Sequence, residues 1–139
     1  MRQFVLILLL LLCGCNLSNH EQFTPTPAIP TIQFQFPANN VSVTEGEDLQ
    51  IQLLAQDSVG ISKVELQVDN QPVQVGKPVD KPVVPVFTVD MDWIAKGVGL
   101  HALQATAYRP DGTASDPTLI NVNVTATSLQ STPTPSSTP

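Results

Sequence analysis

Twelve acidic residues and two histidines in 139 residues are the groups from which hydrolytic or metal chemistry would have to be built. Asp57, Asp69 and Asp111 are the candidates for a calcium site, because a hard cation takes several oxygen ligands. Each sits in a turn segment: Asp57-Ser58-Val59-Gly60, Asp69-Asn70-Gln71-Pro72 and Pro110-Asp111-Gly112. Loops gathered at one end of a β-sandwich could bring Asp57 to Asp111. The chain has no Asp-x-Asp-rich calcium loop, however, and an Asp in a turn commonly bonds nearby backbone N–H groups. Asp57 is therefore expected to cap its own turn. Asp90-Met91-Asp92 sets two carboxylates at i and i+2, on one side of a strand. Such a pair can run glycoside hydrolysis, but at a strand end it is ordinarily just solvated. His101 opens a run of inward positions and is expected to be structural, while His20 has no partner in sequence. Trp93, the single Trp, is expected to anchor the core rather than stack on a sugar. There is no Gly-rich phosphate loop, no paired-cysteine metal motif and no nucleophile with an evident base. No catalytic residue, no metal ligand and no cofactor is assigned.

The strongest chemical signal lies at the start of the chain. Residues 2–15 read Arg-Gln-Phe-Val-Leu-Ile-Leu-Leu-Leu-Leu-Leu-Cys-Gly-Cys. A positive start, a short apolar stretch and a small-residue cleavage site define a secretory signal. The stretch Phe4 to Leu12 is well short of the ~20 apolar residues that span a bilayer as a helix. Leu12-Cys13-Gly14-Cys15 resembles the lipobox of bacterial lipoproteins. The resemblance implies that a diacylglycerol is attached to the Cys15 thiol, that the chain is cut after Gly14, and that the new amine is acylated. Cys13 stands where Ser or Ala is commoner. Leu12 is too bulky to precede the cut if Cys13 were the modified residue. Two or three acyl chains hold a protein on a membrane durably where one is marginal. The protein is thus expected in a bacterial cell envelope, outside the cytoplasm, with the membrane as partner through lipid on Cys15.

Composition narrows the other partners. Arg2 leaves with the signal, so the formal charge of the mature chain moves from −6 to −7. An acidic chain without clustered Lys and Arg is unsuited to nucleic acid, and equally to electrostatic adsorption on an anionic membrane. Both cysteines lie at the signal boundary, so the folded part holds no disulfide and must be stabilised by its core. Asn16, Asn40 and Asn123 begin glycosylation sequons, which carry little meaning in a bacterium.

Four segments divide the chain: a signal helix over 1–14, a Pro/Thr-rich tether over 15–30, a folded domain over 31–126 and a Ser/Thr/Pro-rich tail over 127–139. Tether and tail are polar and rich in proline, and are expected to be disordered. Between them the apolar residues alternate with polar ones, the mark of an antiparallel sandwich. Ile32, Phe34 and Phe36 form one such set, and Leu49, Ile51, Leu53 and Ala55 a second. Val64, Leu66 and Val68 follow, then Phe87 and Val89 before Trp93. Leu103, Ala105 and Ala107 form another set, and Ile120, Val122 and Val124 the last. Glu45 to Asp48, Asp57 to Gly60, Asp69 to Pro72 and Pro110 to Gly112 supply the turns. Pro78, Pro82 and Pro85 exclude a central strand over Lys77 to Val86, which reads as an extended loop crossing between sheets.

The run Asp57-Ser58-Val59-Gly60-Ile61-Ser62-Lys63-Val64-Glu65-Leu66-Gln67-Val68-Asp69 resembles a bacterial Ig-like domain. Trp93, then Gly99-Leu100-His101-Ala102-Leu103-Gln104-Ala105-Thr106-Ala107 and Asp111-Gly112, are similar to the second half of that family's pattern. The resemblance spans about Thr31 to Ala126. It implies an all-β, Ig-like antiparallel sandwich of about seven strands with a non-catalytic role in binding or presentation at the cell surface. The partner would be an unidentified envelope protein or polysaccharide. A carbohydrate-binding module is the alternative. It calls for a row of exposed aromatics, and the chain offers Trp93, Tyr108 and a few Phe, mostly at inward-looking positions.

Overall fold

The computed structural model describes residues 28–128. The expected signal helix, Cys15, the tether up to residue 27 and the tail from residue 129 lie outside the described residues. Every regular element described is a strand. In order they are β1 (Thr31–Phe36), β2 (Val41–Thr44), β3 (Asp48–Ile61), β4 (Lys63–Val68), β5 (Gln71–Gly76), β6 (Val84–Ile94), β7 (Gly99–Tyr108) and β8 (Thr118–Thr125). They form a three-stranded sheet, β1-β3-β6, and a five-stranded sheet, β2-β8-β7-β4-β5.

The alternation seen in the sequence closes this sandwich. Leu49, Ile51, Leu53 and Ala55 of β3 point inward with Met91 and Trp93 of β6. They meet Val64 and Leu66 of β4, Leu103, Ala105 and Ala107 of β7, and Ile120, Val122 and Val124 of β8. Each large aliphatic side chain so buried contributes about 1.5–3 kcal/mol. That burial takes the place of the missing disulfide.

Eight strands are described, in keeping with the expected sandwich of about seven, and β2 and β5 are the two that the alternation does not mark. β2 has four residues, too few to show a period. β5 carries Pro72, and its Val73 and Val75 face solvent at a sheet edge, so no inward stripe marks it. Nor is the sandwich wholly antiparallel. Val41 to Thr44 run parallel to Val122 to Thr125, because the chain leaves β1 in one sheet and continues as β2 in the other. The proline-rich segment does cross between sheets, but strand structure begins at Val84, so the loop spans 77–83. Pro85 is tolerated because β6 is an edge strand.

Asp57 to Gly60 do not separate two strands. They form an irregularity within β3, where the register with β6 jumps from Gln56↔Val86 to Ile61↔Val84. Asp69 and Asn70 make a two-residue hairpin turn, both at positive φ (50° and 64°), which matches the twist of β4 and β5.

Strand directions give the sandwich two unlike ends. Ala28, the Asp57 irregularity, the 77–83 loop and the turn after β7 lie at what we call the proximal end. The Glu45 to Asp48 turn, the Asp69 turn and residues 95–98 lie at the distal end, where Thr127 Oγ1 donates to the Glu45 carbonyl at 3.1 Å. The chain therefore enters at one end and leaves at the other.

Gly60 has φ +117°, and a Cβ there would lie 2.3 Å from Val83 Cγ1. Gly46 also has positive φ, but a Cβ there would meet nothing within 4 Å. Gly60→Ala is thus expected to cost about 2–4 kcal/mol, combining backbone strain with overpacking. Gly46→Ala should lose only the strain, about 1–2 kcal/mol. Thermal unfolding of both variants checks this, and equal losses would show that the 77–83 loop gives way freely.

Candidate functional site

Polar side chains converge at each end of the sandwich. At the proximal end Asp57 and Arg109 are buried together. Arg109 Nε donates to Asp57 Oδ2 at 2.7 Å and its Nη2 to Oδ1 at 2.6 Å, a bidentate pair. The Val59 and Gly60 N–H groups also donate to Oδ2, at 3.1 and 2.8 Å. The remaining reach of Nη2 goes to the carbonyl of Ala28. The hydrogen bond from Arg109 is the main reason the Asp57 carboxyl is lowered to about 2; burial pushes the other way, and the Gly60 N–H adds to the lowering. Asp57 thus caps its own turn, as expected. Asp111 is elsewhere engaged, its Oδ1 accepting from the Thr113 N–H at 2.9 Å. The structure brings Asp57 to a guanidinium rather than into a cluster of carboxylates, which is the arrangement of a structural clamp.

At the distal end Asp69 and His101 meet. His101 Nδ1 lies 2.6 Å from Asp69 Oδ2, and His101 Nε2 lies 2.8 Å from the Gly97 carbonyl. The other Asp69 oxygen accepts from the Ala102 N–H at 2.9 Å. The imidazole ring tilts against Trp93, with centroids 5.5 Å apart. Both ring nitrogens therefore face acceptors. A neutral imidazole has one N–H and satisfies one of them; the imidazolium satisfies both. The bond to Asp69, then that to Gly97, raises the His101 pKa, while the Ala102 N–H and then His101 lower that of Asp69. His101 is structural, as expected: it ties the β4–β5 turn to the β6–β7 turn.

Asp90 and Asp92 do share a face, the exposed outer side of β6. Each stands opposite a glutamine of β3 rather than another acid, Asp90↔Gln52 and Asp92↔Gln50. Gln52 Nε2 donates to Asp90 Oδ1 at 2.9 Å. Trp93 is buried in the core at 8% exposure, and Tyr108 is half-buried with Lys63 Nζ 4.4 Å from its ring centre. Phe36 departs from the inward reading. A bulge between Phe34 and Phe36 sets it opposite Gln52 and leaves it 51% exposed. An open cleft of about 470 Å3 lies beside the β5 and β6 edges, lined by Pro72, Val73, Gln74, Trp93, Ile94 and Lys96 among others.

Sequence reasoning passed over Arg109. It is the one arginine after residue 2, and it sits beside the Pro110-Asp111-Gly112 turn. A lone guanidinium at a strand end, in a domain that also places an Asp in a turn, was the signal available.

Residues 30–97 match the family model described as bacterial Ig domain. Among solved structures, the fibronectin(III)-like modules of Clostridium thermocellum CbhA are 28% identical, with a TM-score of 0.58, covering 69% of this chain and 98% of theirs. The SrpA adhesin of Streptococcus sanguinis is 15% identical with a TM-score of 0.54, over 74% of this chain and 60% of that one. The endo-beta-1,4-mannanase of Thermotoga petrophila is 13% identical with a TM-score of 0.51; the match spans 74% of this chain but 21% of the mannanase. The latter two share the fold alone. No curated protein is significantly similar in sequence. The expected resemblance to a bacterial Ig domain therefore holds, and domains of this kind are generally non-catalytic.

Two predictions follow from the two clusters. Arg109→Met strands a buried carboxylate and should cost about 3–5 kcal/mol, whereas Asp57→Leu with Arg109→Met should recover part of that, the remainder being the lost cap on the Val59 and Gly60 N–H groups. Urea unfolding of both variants measures the difference, and a double variant no better than the single would place the loss elsewhere. The His101 contribution is complete below the ordinary pKa of 6.5 and is lost as pH rises through the raised folded value. The Asp69 contribution is complete above 3.8 and is lost as pH falls through its lowered value. Melting temperature should thus decline as pH rises past neutrality, and His101→Gln should flatten that decline.

Proposed function

We propose that this bacterial Ig-like sandwich is the exposed part of an envelope lipoprotein, held by lipid on Cys15, and acts as a non-catalytic binding or presentation module. The observation that carries the reading is the placement of the chain ends. The segment leading back to Cys15 joins at the proximal end, where Arg109 holds Ala28, and the chain leaves from the distal end beyond Thr127. A rigid body inserted in this way holds whatever follows it one domain length from its anchor. The 14 residues of β3 set that length at roughly 45 Å.

The mechanism is passive. The buried or clustered polar groups Asp57, Arg109, Asp69 and His101 are spent on holding turns, so a partner protein would meet the faces and edges. β5 is an exposed edge with Val73 and Val75 open to solvent, where a partner strand from an envelope protein can pair by β-augmentation. Part of the neighbouring β6 edge is already satisfied, since the Asp92 N–H donates to Gln74 Oε1 at 3.2 Å.

One observation favours the carbohydrate reading as the second choice. Phe36, Gln52 and Asp90 stand in one row across the outer face of the smaller sheet, an aromatic beside an amide–carboxylate pair. Retention on a neutral polysaccharide that is lost in Phe36→Ala would favour it over a protein partner.

The anchor is tested by fractionation. The full chain expressed in a bacterium should float with membranes and partition into detergent, and Cys15→Ala should move it to the soluble fraction. Continued detergent-dependent flotation of Cys15→Ala would overturn the lipid assignment.

A further inference from the structure

We infer that the proximal end is a lipid-facing surface, with the 77–83 loop resting on phospholipid headgroups through Val79, Lys77 and Lys81. The inference rests on the lipid-anchor reading and adds which surface of the domain the membrane meets.

Three observations converge. The first is where the described chain begins. Ala28 is held at the proximal end by Arg109, and Cys15 lies thirteen residues before it. Thirteen residues span at most roughly 45 Å, so this end stays within about one domain length of the bilayer.

The second is the loop itself. Val79 is 97% exposed, the highest value among the exposed large hydrophobic residues of the domain. Lys77 and Lys81 flank it and are also exposed. An apolar tip between two ammonium groups suits a headgroup layer, where the side chain enters the apolar boundary and the lysines meet phosphate. Pro78 and Pro82 stiffen the loop, and Val83 packs against Gly60, so the tip is presented from a fixed base. Val59 and Ile29 add exposed apolar surface at the same end.

The third is the distribution of charge. At the proximal end Arg109 is buried and neutralised by Asp57, and Lys63 is paired with Glu65 at 2.5 Å, so the cations open to a headgroup there are Lys77 and Lys81, both on the loop. Asp80 offsets one charge of the loop, and Asp111 and Asp116 also lie at this end. The distal turn carries Glu45, Glu47 and Asp48 within four residues. Phosphate repels that turn more strongly than it repels the loop. The domain as a whole is acidic and would not adsorb unaided. A tether changes this, because an anchored surface is presented to lipid at an effective concentration of the order of millimolar, where a weak contact suffices.

The test supplies the anchor chemically, so that it does not depend on lipidation in the cell. Residues 15–139 contain one thiol, Cys15, which is coupled to a maleimide lipid in small bilayer discs of phosphatidylethanolamine and phosphatidylglycerol carrying a gadolinium headgroup chelate. Amide resonances of Val79 and Lys81 should be lost to paramagnetic broadening, while those of Glu45 and Glu47 persist. In the double variant Val79→Asp, Lys81→Glu the remaining loop resonances should reappear with the anchor still in place. Retention of the loop resonances in the unsubstituted chain, or equal loss at both ends, would overturn the inference. So would persistent loss in the double variant, since the tether alone would then account for the proximity. A fractionation result against Cys15 combined with end-selective broadening would refute the natural anchor and leave the surface assignment standing.

Discussion

A guanidinium and a carboxylate shut away from water at the proximal end are the constraint on which the rest of this fold depends. Either charge alone would be costly to bury; together they neutralise one another and direct their remaining hydrogen bonds at backbone. Asp57 uses two lone pairs to fix the break in β3, and Arg109 uses its fork to reach across to the first described residues. One interaction thus sets where β3 bends, where β7 ends and where the chain comes in. An apolar pair of the same volume could fill the space, but it would lack the directed bonds that align those three segments.

Inward and outward alternation made most of the architecture legible from sequence. The long runs in β3, β7 and β8 bury one face each, and a period of two reveals that directly. The short strands escaped for the opposite reason. β2 is too brief for a period, and β5 buries too little. Strand direction is also silent in a pattern of alternation, so the parallel pairing of β2 with β8 could not be read. Phe36 shows a further limit: a bulge of one residue turns a side chain from core to solvent without altering the pattern around it.

The clusters show the same division. A turn Asp announces its own cap, because the interaction is local, and Asp57 does cap its turn. Its partner is 52 residues away, and only the assembled sandwich reveals that Arg109 arrives there. His101 was legible as structural, yet its two acceptors come from segments that approach each other only after folding. Local chemistry was visible in the sequence and long-range chemistry was not. A domain whose converging polar clusters are committed to its own turns is left with its outer surface as its means of acting.

Opposite placement of the chain ends has a mechanical consequence. When the two ends are drawn apart, β1 is dragged lengthwise along β3, and β2 is dragged lengthwise along its parallel neighbour β8. The four register pairs from Val41↔Val122 to Thr44↔Thr125 then carry the load side by side rather than one after another. Hydrogen bonds loaded in shear must yield together, whereas those in a peeled hairpin open singly. The direction in which this domain would be stretched, with one end held and something pulling on the other, is the direction in which its ladders resist most strongly.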